Sequence, residues 1–574
     1  MQKHCRHFSL FILASAIVLL AFTGMARADP PSRVARLGFI SGAVSFSPAG
    51  ENDWVQATLN RPLTHGDRLW ADDRGRAEIQ VGGAMIRMNA STSLAVLNLD
   101  DQTAQFQLTQ GSLNVRVRSL EPGQVFEVDT PNLAFTLRQP GEYRITVDPR
   151  GDATGIVVRK GRGEAAGEGA TYLIDPRQPY RFTGTGLRDY QTFTTPRADE
   201  FDRWASSRDR SYDASTSARY VSPDVIGYQD LDANGAWQVD PGYGNVWVPS
   251  RMAANWAPYR DGHWAWIDPW GWTWVDDAPW GFAVSHYGRW AHLRNHWAWV
   301  PGPARTRAWY APALVAFVGG DNFQISVASG AIGAVAWFAL GPREVYHPPY
   351  AASRGYFESV NRSNTVVTNT VINNTYNVSH LGNTMYANRQ VSGAVTAMPR
   401  TAFAQSQAVG KASVPVARVV VASASVAAAA PIAPTERSVR GRGDRGQAPP
   451  ARVFERPVIA RNAPPAPHVG FVVQQPQLAA TPGKPLDEPA RRALRPATGA
   501  PAPVVKVIAP SAAAAAAPLR RRQRPRLLPR VQRLPPRCRS NRQRRADRTT
   551  AIGRPADPPG FLNERPDRRP AAMR

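Results

Sequence analysis

Cysteine is almost absent: the 574-residue chain holds two, Cys5 and Cys538. Cys5 lies in a leading segment expected to be removed, so the mature chain keeps one thiol and can close no internal disulfide. Its folded parts must then stand on apolar cores. Catalytic signatures are missing too. There is no Gly-x-Ser-x-Gly elbow around Ser285-His286 and no Gly-x-x-x-x-Gly-Lys phosphate loop. His292 and His296 have the spacing of a helical zinc pair but lack its glutamate, and Trp290, Trp297 and Trp299 around them favour strands. Asp276-Asp277 and Asp199-Glu200 are adjacent carboxylates, and neighbours in a strand point to opposite faces. A glycosidase pair must instead face each other at about 5–9 Å. The expectation is a protein without catalytic residues, metal site or cofactor.

Long apolar runs are confined to the start. Lys3, Arg6 and His7 precede Phe8 to Phe22, and Ala26-Arg27-Ala28 follows. This is the layout of a signal peptide over residues 1–28, cleaved after Ala28, and the run is shorter than the roughly 20 residues of a span. The later stretch Val419 to Ala430 is bounded by Arg418 and Pro431, also too short for the roughly 17 residues required. No transmembrane segment is expected in the mature chain, which reads as periplasmic, secreted or held in the cell envelope.

Acidic residues are scarce in the last third. From Thr401 to Arg574 there are 32 Lys plus Arg against 9 Asp plus Glu, which is nearly all of the chain's net +25. Export argues against nucleic acid as the partner of this charge. Lipid phosphates, acidic polysaccharide, other glycans or another envelope protein are the partners on offer.

What is present is β pattern. Between residues 34 and 193, Ala77, Ile79 and Val81 alternate with polar residues before Gly82-Gly83, and Leu113, Val115 and Val117 and then Tyr143, Ile145 and Val147 repeat the pattern. Each run can bury one face, which argues for a β-sandwich, barrel or solenoid-like module. Leu63-Thr64-His65-Gly66-Asp67-Arg68-Leu69, Gly111 to Val115, Val128-Asp129-Thr130-Pro131, Phe135 to Arg138 and Gly141-Glu142-Tyr143-Arg144 resemble the FecR domain family. Gln139 stands where that family often has glycine. Classical members are membrane-anchored regulators that relay a receptor signal to a cytoplasmic sigma factor. With a cleavable leader and no later span, the resemblance implies the sensing or binding fold rather than the cytoplasmic output.

Residues 194–227 are polar and read as a linker with room for a short helix. Residues 228–350 hold a repeat. Of 17 tryptophans, 13 fall between Trp237 and Trp309, in three units opened by Gly235-Ala236-Trp237, Gly262-His263-Trp264 and Gly288-Arg289-Trp290. A second tryptophan follows at Trp247, Trp274 and Trp299, and a third at Trp256, Trp280 and Trp309. Gly and Pro break the units into short strands and tight turns. Tyr228 to Leu231, Val246 to Pro249, Trp256 to Tyr259, Gly271 to Trp274, His286 to Trp290, Trp299 to Gly302 and Val335 to Pro342 resemble an exported, tryptophan-rich family of unknown function. One small core does not need so many indoles. Trp266, Trp270, Trp272 and Trp297, outside the three-per-unit frame, are the candidates for an exposed aromatic surface that binds glycan or peptide.

Residues 351–397, rich in Asn and Thr, are expected to be extended. Residues 398–574 are low-complexity Ala/Pro/Val and then Arg, and are expected to be disordered. The composition breaks again at Ala512 to Pro518, as a shifted reading frame would produce, and resequencing the DNA across Ala517 checks it. The fold class is mainly β, with a short-strand tryptophan-repeat β module and a disordered C-terminal tail. The first functional expectation is a non-catalytic exported envelope protein that binds or scaffolds envelope components. The alternatives are a FecR-like sensing protein working through a separate membrane partner, and a glycan-active enzyme.

Overall fold

The computed structural model describes residues 29–320, 322–328, 330–376, 381, 384–494 and 504–509. The expected signal segment and the arginine-rich end lie outside the described residues. The fold is mainly β.

From Ala35 to Thr192 the chain passes back and forth between two sheets, each nine-stranded among the described residues. One runs from the edge strand Pro62–Leu63 to Asp189–Thr192, the other from Val55–Gln56 to Thr171–Ile174. The alternation explains the layering. In Gly141–Val147 the residues Tyr143, Ile145 and Val147 are buried while their neighbours are half-buried. Ile79, Ile86, Leu113 and Ile145 from one sheet meet Phe46, Leu94, Phe106, Val128 and Phe135 from the other in a single core, so the N-terminal module is a sandwich. The Gly82-Gly83 hairpin forms as its sequence suggests.

The polar stretch read as a linker carries the 14-residue helix Glu200–Asp213, started by an Asp199–Asp202 capping box. It lies on the outer face of the first sheet through charge as much as through Phe201, Ala205 and Tyr212. Arg87, with a fully buried side chain, bonds Glu78 at 2.6 Å and Asp209 at 3.0 Å. Arg144 and Arg159 reach Asp202 at 3.1 and 2.6 Å. The short helix for which the sequence leaves room thus docks on a ladder of strand arginines.

In the tryptophan module each repeat is a β-hairpin, and its first and second tryptophans are direct cross-strand partners: Trp237 with Trp247, Trp264 with Trp274, Trp290 with Trp299. Trp247 also pairs with Trp299, so four indoles cross one four-stranded sheet in a row. The repeat glycines have a steric cause. A Cβ at Gly235 would lie 2.4 Å from the Trp247 ring, at Gly262 2.6 Å from Trp274, and at Gly288 2.5 Å from Trp299.

Two expectations are corrected further on. Within residues 351–397 the chain forms the helices Arg354–Arg362 and Asn369–Tyr376 rather than an extended ribbon. Ser353 caps the first helix, which buries Tyr356, Phe357 and Val360. Asn361 of this helix accepts from Tyr346 N at 2.7 Å, and Asn364, just past its end, accepts from Gly288 N at 2.9 Å.

The disorder expected from residue 398 does not hold for 398–494. Thr396–Pro399 pairs with the long strand Gly330–Ala339, and Val426–Ala427 pairs with Val315–Val318. Phe403, Ile432, Phe471 and Leu478 are buried in the tryptophan module's own core. Segment-average composition hides these widely spaced apolar anchors, and an open aromatic face waits for them. Among the described residues, no helix is long and apolar enough to cross a membrane.

Candidate functional site

The two modules are pinned by one arginine. Arg36, on the sandwich strand Ala35–Ser41, donates to Asn60 Oδ1 at 2.9 Å, Asp230 at 2.5 Å and the Pro279 carbonyl at 2.7 Å. Asn60 then donates to the carbonyls of Asp276 and Ala278 at 3.0 and 2.6 Å. Burial raises the Asp230 carboxyl, and Arg36 and Arg208 oppose the shift.

Where these modules and the C-terminal segment meet, a cavity of about 350 Å³ opens. Thr64, His65 and Asp100 of the sandwich, Asp268 and Trp270 of the tryptophan module, and His468 and Arg491 line it. The His65 and His468 rings lie 4.8 Å apart. Burial, then mutual repulsion, lowers His65 to about 3, while burial and Arg491 lower His468 to about 4. Both imidazoles are therefore neutral at neutral pH and can each donate and accept one hydrogen bond. Arg491 pairs with Glu488 at 2.8 Å on the same wall. Leu63, Pro269, Pro465 and Leu486 make much of the remaining wall apolar, so the lining suits a small, partly apolar ligand oriented by a few hydrogen bonds. Beside it, burial pushes Asp67 up to about 6, although the carboxylate accepts from Thr64 N and Ala49 N.

None of the four aromatic surface candidates is on the surface. Trp266, Trp270, Trp272 and Trp297 are all buried. Trp266 and Trp272 are cross-strand partners whose face is closed by the C-terminal segment: Phe403 lies 4.6 Å from the Trp272 ring, and Trp272 Nε1 donates to the Ile432 carbonyl at 2.9 Å. Trp270 packs on Tyr310 at 4.9 Å, and Trp297 on His292 at 5.1 Å. Of the four, Trp270 reaches the wall of the cavity beside His65, and Trp266 the wall of a smaller one beside Asp67. Exposed aromatic residues stand elsewhere: Tyr190 and Phe193 at the sandwich's open edge, 38 and 42% exposed, and Tyr243 at the tip of the first tryptophan hairpin, 37% exposed.

Asp276 and Asp277 diverge, as neighbours at a strand end should. Asp276 accepts from Trp274 Nε1 and Ala278 N, both at 2.9 Å, and burial pushes its carboxyl up to about 7. Asp277 turns to Arg442 at 2.7 Å. Ser285 Oγ is 3.4 Å from Asp276, while the His286 ring bonds the Ala311 carbonyl. This arrangement staples a hairpin to a short helix. Among the described residues, no group of three or more His, Cys, Asp or Glu side chains is placed to hold a metal ion. Sequence reasoning missed Arg36, Asn60 and His468, and no motif announces them. His65 did fall inside the FecR-like stretch.

Residues 67–162 match the FecR protein family, and residues 228–344 match a family of unknown function, DUF6600. Two crystal structures of a candidate anti-sigma factor from Parabacteroides distasonis are similar at 12% identity and a TM-score of 0.20, over 22% of this chain. The chain spans 59% of the length of that protein. No curated protein matches. The chain thus joins a FecR domain to a DUF6600 domain.

Proposed function

We propose that this is a non-catalytic, exported FecR-type regulatory protein that senses a condition of the cell envelope and acts through a separate membrane partner. The FecR domain carries the reading. The arrangement around it supports the same view. The cavity beside His65 and His468 draws its walls from both modules and the C-terminal segment, so a ligand bound there contacts all three. A ligand with different affinity for two arrangements of these parts shifts their populations. The test is deletion of the gene with transcript profiling, followed by complementation with the wild type and with His65→Asn/His468→Asn. Altered transcription restored only by the wild type supports the reading. An unchanged transcript profile together with a cytoplasmic, unprocessed protein overturns it.

A second reading, binding of envelope glycan, is favoured by the exposed edge around Tyr172, Tyr180 and Tyr190, whose rings lie 5.2–6.0 Å apart. A pull-down on purified peptidoglycan with Tyr190→Ala as control tests it. Equal retention of both proteins would rule the edge out.

A further inference from the structure

The outer face of the sandwich's second sheet is polar. Gln105, Gln107, Glu127, Asp129 and Thr136 are buried there, and what buries them is residues 453–462 of the same chain. Glu127 accepts from the main-chain nitrogens of Arg461 and Asn462 at 2.8 and 3.2 Å and from Asn462 Nδ2 at 2.7 Å. Gln105 and Gln107 donate to the carbonyls of Asn462 and Arg456. Ile459 N donates to the Thr130 carbonyl at 2.9 Å. Further along the strap, Gln56 N donates to the Asp444 carbonyl and Gly446 N to the Trp54 carbonyl, so the edge strand Val55–Gln56 is also completed by this chain.

Three features mark this as recognition of an extended polypeptide rather than as core. Most of these bonds go to main chain, which any extended segment offers. The side-chain part within the docked stretch is the ion pair of Arg461 with Glu164, with the Phe454 and Trp54 rings 5.3 Å apart beneath Arg68; ahead of it, Arg440 pairs with Asp53 at 2.5 Å. Val453, Val458, Ile459 and Ala460 are buried, yet they belong to none of the molecule's hydrophobic clusters. The contact also leaves Gln105 Oε1 and Asp129 Oδ1 buried without partners, a cost that weakens it. Prolines at 449, 450, 464, 465 and 467 flank the docked stretch and cannot extend the pairing, so the site is about one short strand long.

We propose that this face is a binding site for an extended, arginine-bearing segment of a partner protein, occupied in the resting molecule by residues 453–462. The partner is recognised through its main chain by Glu127, Gln105 and Thr130, and through an arginine by Glu164. Displacement frees the strap and exposes the FecR face. This goes beyond the regulatory reading and stands without it.

The test uses the full chain and a fluorescein-labelled peptide of residues 453–463. Hydrogen exchange at residues 453–462 should be at least about tenfold faster than in the strand Val125–Asp129, and faster still in 1 M NaCl. The peptide should bind saturably, more tightly to the Arg461→Ala/Asn462→Ala variant, whose own strap is weakened without touching the sandwich. Glu127→Gln should abolish capture. Exchange as slow as in the sandwich strands, or no peptide bound by either the wild type or the strap variant, overturns the proposal. A strap-swapped dimer in place of peptide capture assigns the face to a second copy and overturns it equally.

Discussion

Gly262 sits beneath the indole of Trp274, across the hairpin from Trp264, and a Cβ at Gly262 would lie 2.6 Å from the ring and 2.4 Å from the Val275 carbonyl. The Gly-x-Trp signature is therefore a packing requirement: the second tryptophan of each unit occupies the volume that a side chain on the opening glycine would need. Gly262→Ala must displace the indole or the strand. Overpacking of this kind costs about 1–3 kcal/mol. Urea unfolding should show that loss, whereas Gly186→Ala, with nothing within 4 Å of its Cβ, should stay within about 0.5 kcal/mol of wild type. Equal stability of the two variants would remove the steric account of the repeat.

The repeat was legible because cross-strand tryptophan pairs impose a fixed spacing, and the sandwich because alternation sorts Ile79 and Ile145 inward. Two errors share one cause. Trp266 and Trp272 fall outside the three-per-unit frame and exceed what the repeat alone can bury; the core that takes them is completed by a segment whose composition suggests disorder. Phe403 and Ile432 are isolated among Ala, Pro and Val, and a composition average cannot tell an isolated anchor from noise. The cavity was not legible at all. His65 and His468 meet across some four hundred residues, and no local pattern encodes such a meeting.

The covering role of the C-terminal segment has a direct consequence at Phe403, which packs on Trp264, Trp272, Phe317 and Trp337. Phe403→Ala should cost about 3–5 kcal/mol, the usual range for a buried phenylalanine. The tryptophan emission should also shift to the red as water reaches Trp272. An unchanged spectrum with unchanged stability would return residues 398–494 to the disordered state that their composition suggests.

The helix Glu200–Asp213 stands on buried charge. Burial alone would raise the Glu78 carboxyl, but Arg208 and Arg87 hold it below its ordinary range. Arg87→Ala removes one of those cations and strips Asp209 of a partner. Breaking a buried pair from one side typically costs about 3–5 kcal/mol. Arg76→Ala, whose partner Glu200 is largely exposed, should cost under about 1 kcal/mol. If both variants lose the same stability by denaturant titration, burial is not what gives the Arg87 contact its strength.

Acid should loosen the C-terminal segment before it unfolds the sandwich. Burial lowers His65 and His263 to about 3 and His468 to about 4, from an ordinary 6.5. Arg442, Arg61 and Arg437 push His263 the same way, and both its ring nitrogens are buried without hydrogen-bond partners, Asp277 lying 3.9 Å from Nδ1. Each folded-state value lies below the unfolded one. The stability linked to these groups is thus fully present above pH 6.5 and falls as the pH drops towards 4 and 3, because the unfolded chain takes up protons that the folded one refuses. His468 lies within residues 437–491, and His65 and His263 border that segment. Trypsin cleavage at the arginines of that segment, normalised at each pH to cleavage of an unstructured arginine peptide, should therefore accelerate between pH 6.5 and 4.5 while the sandwich's circular dichroism holds. His65→Asn/His468→Asn should flatten the dependence. A cleavage rate independent of pH in the wild type would show that the histidines do not hold the segment in place.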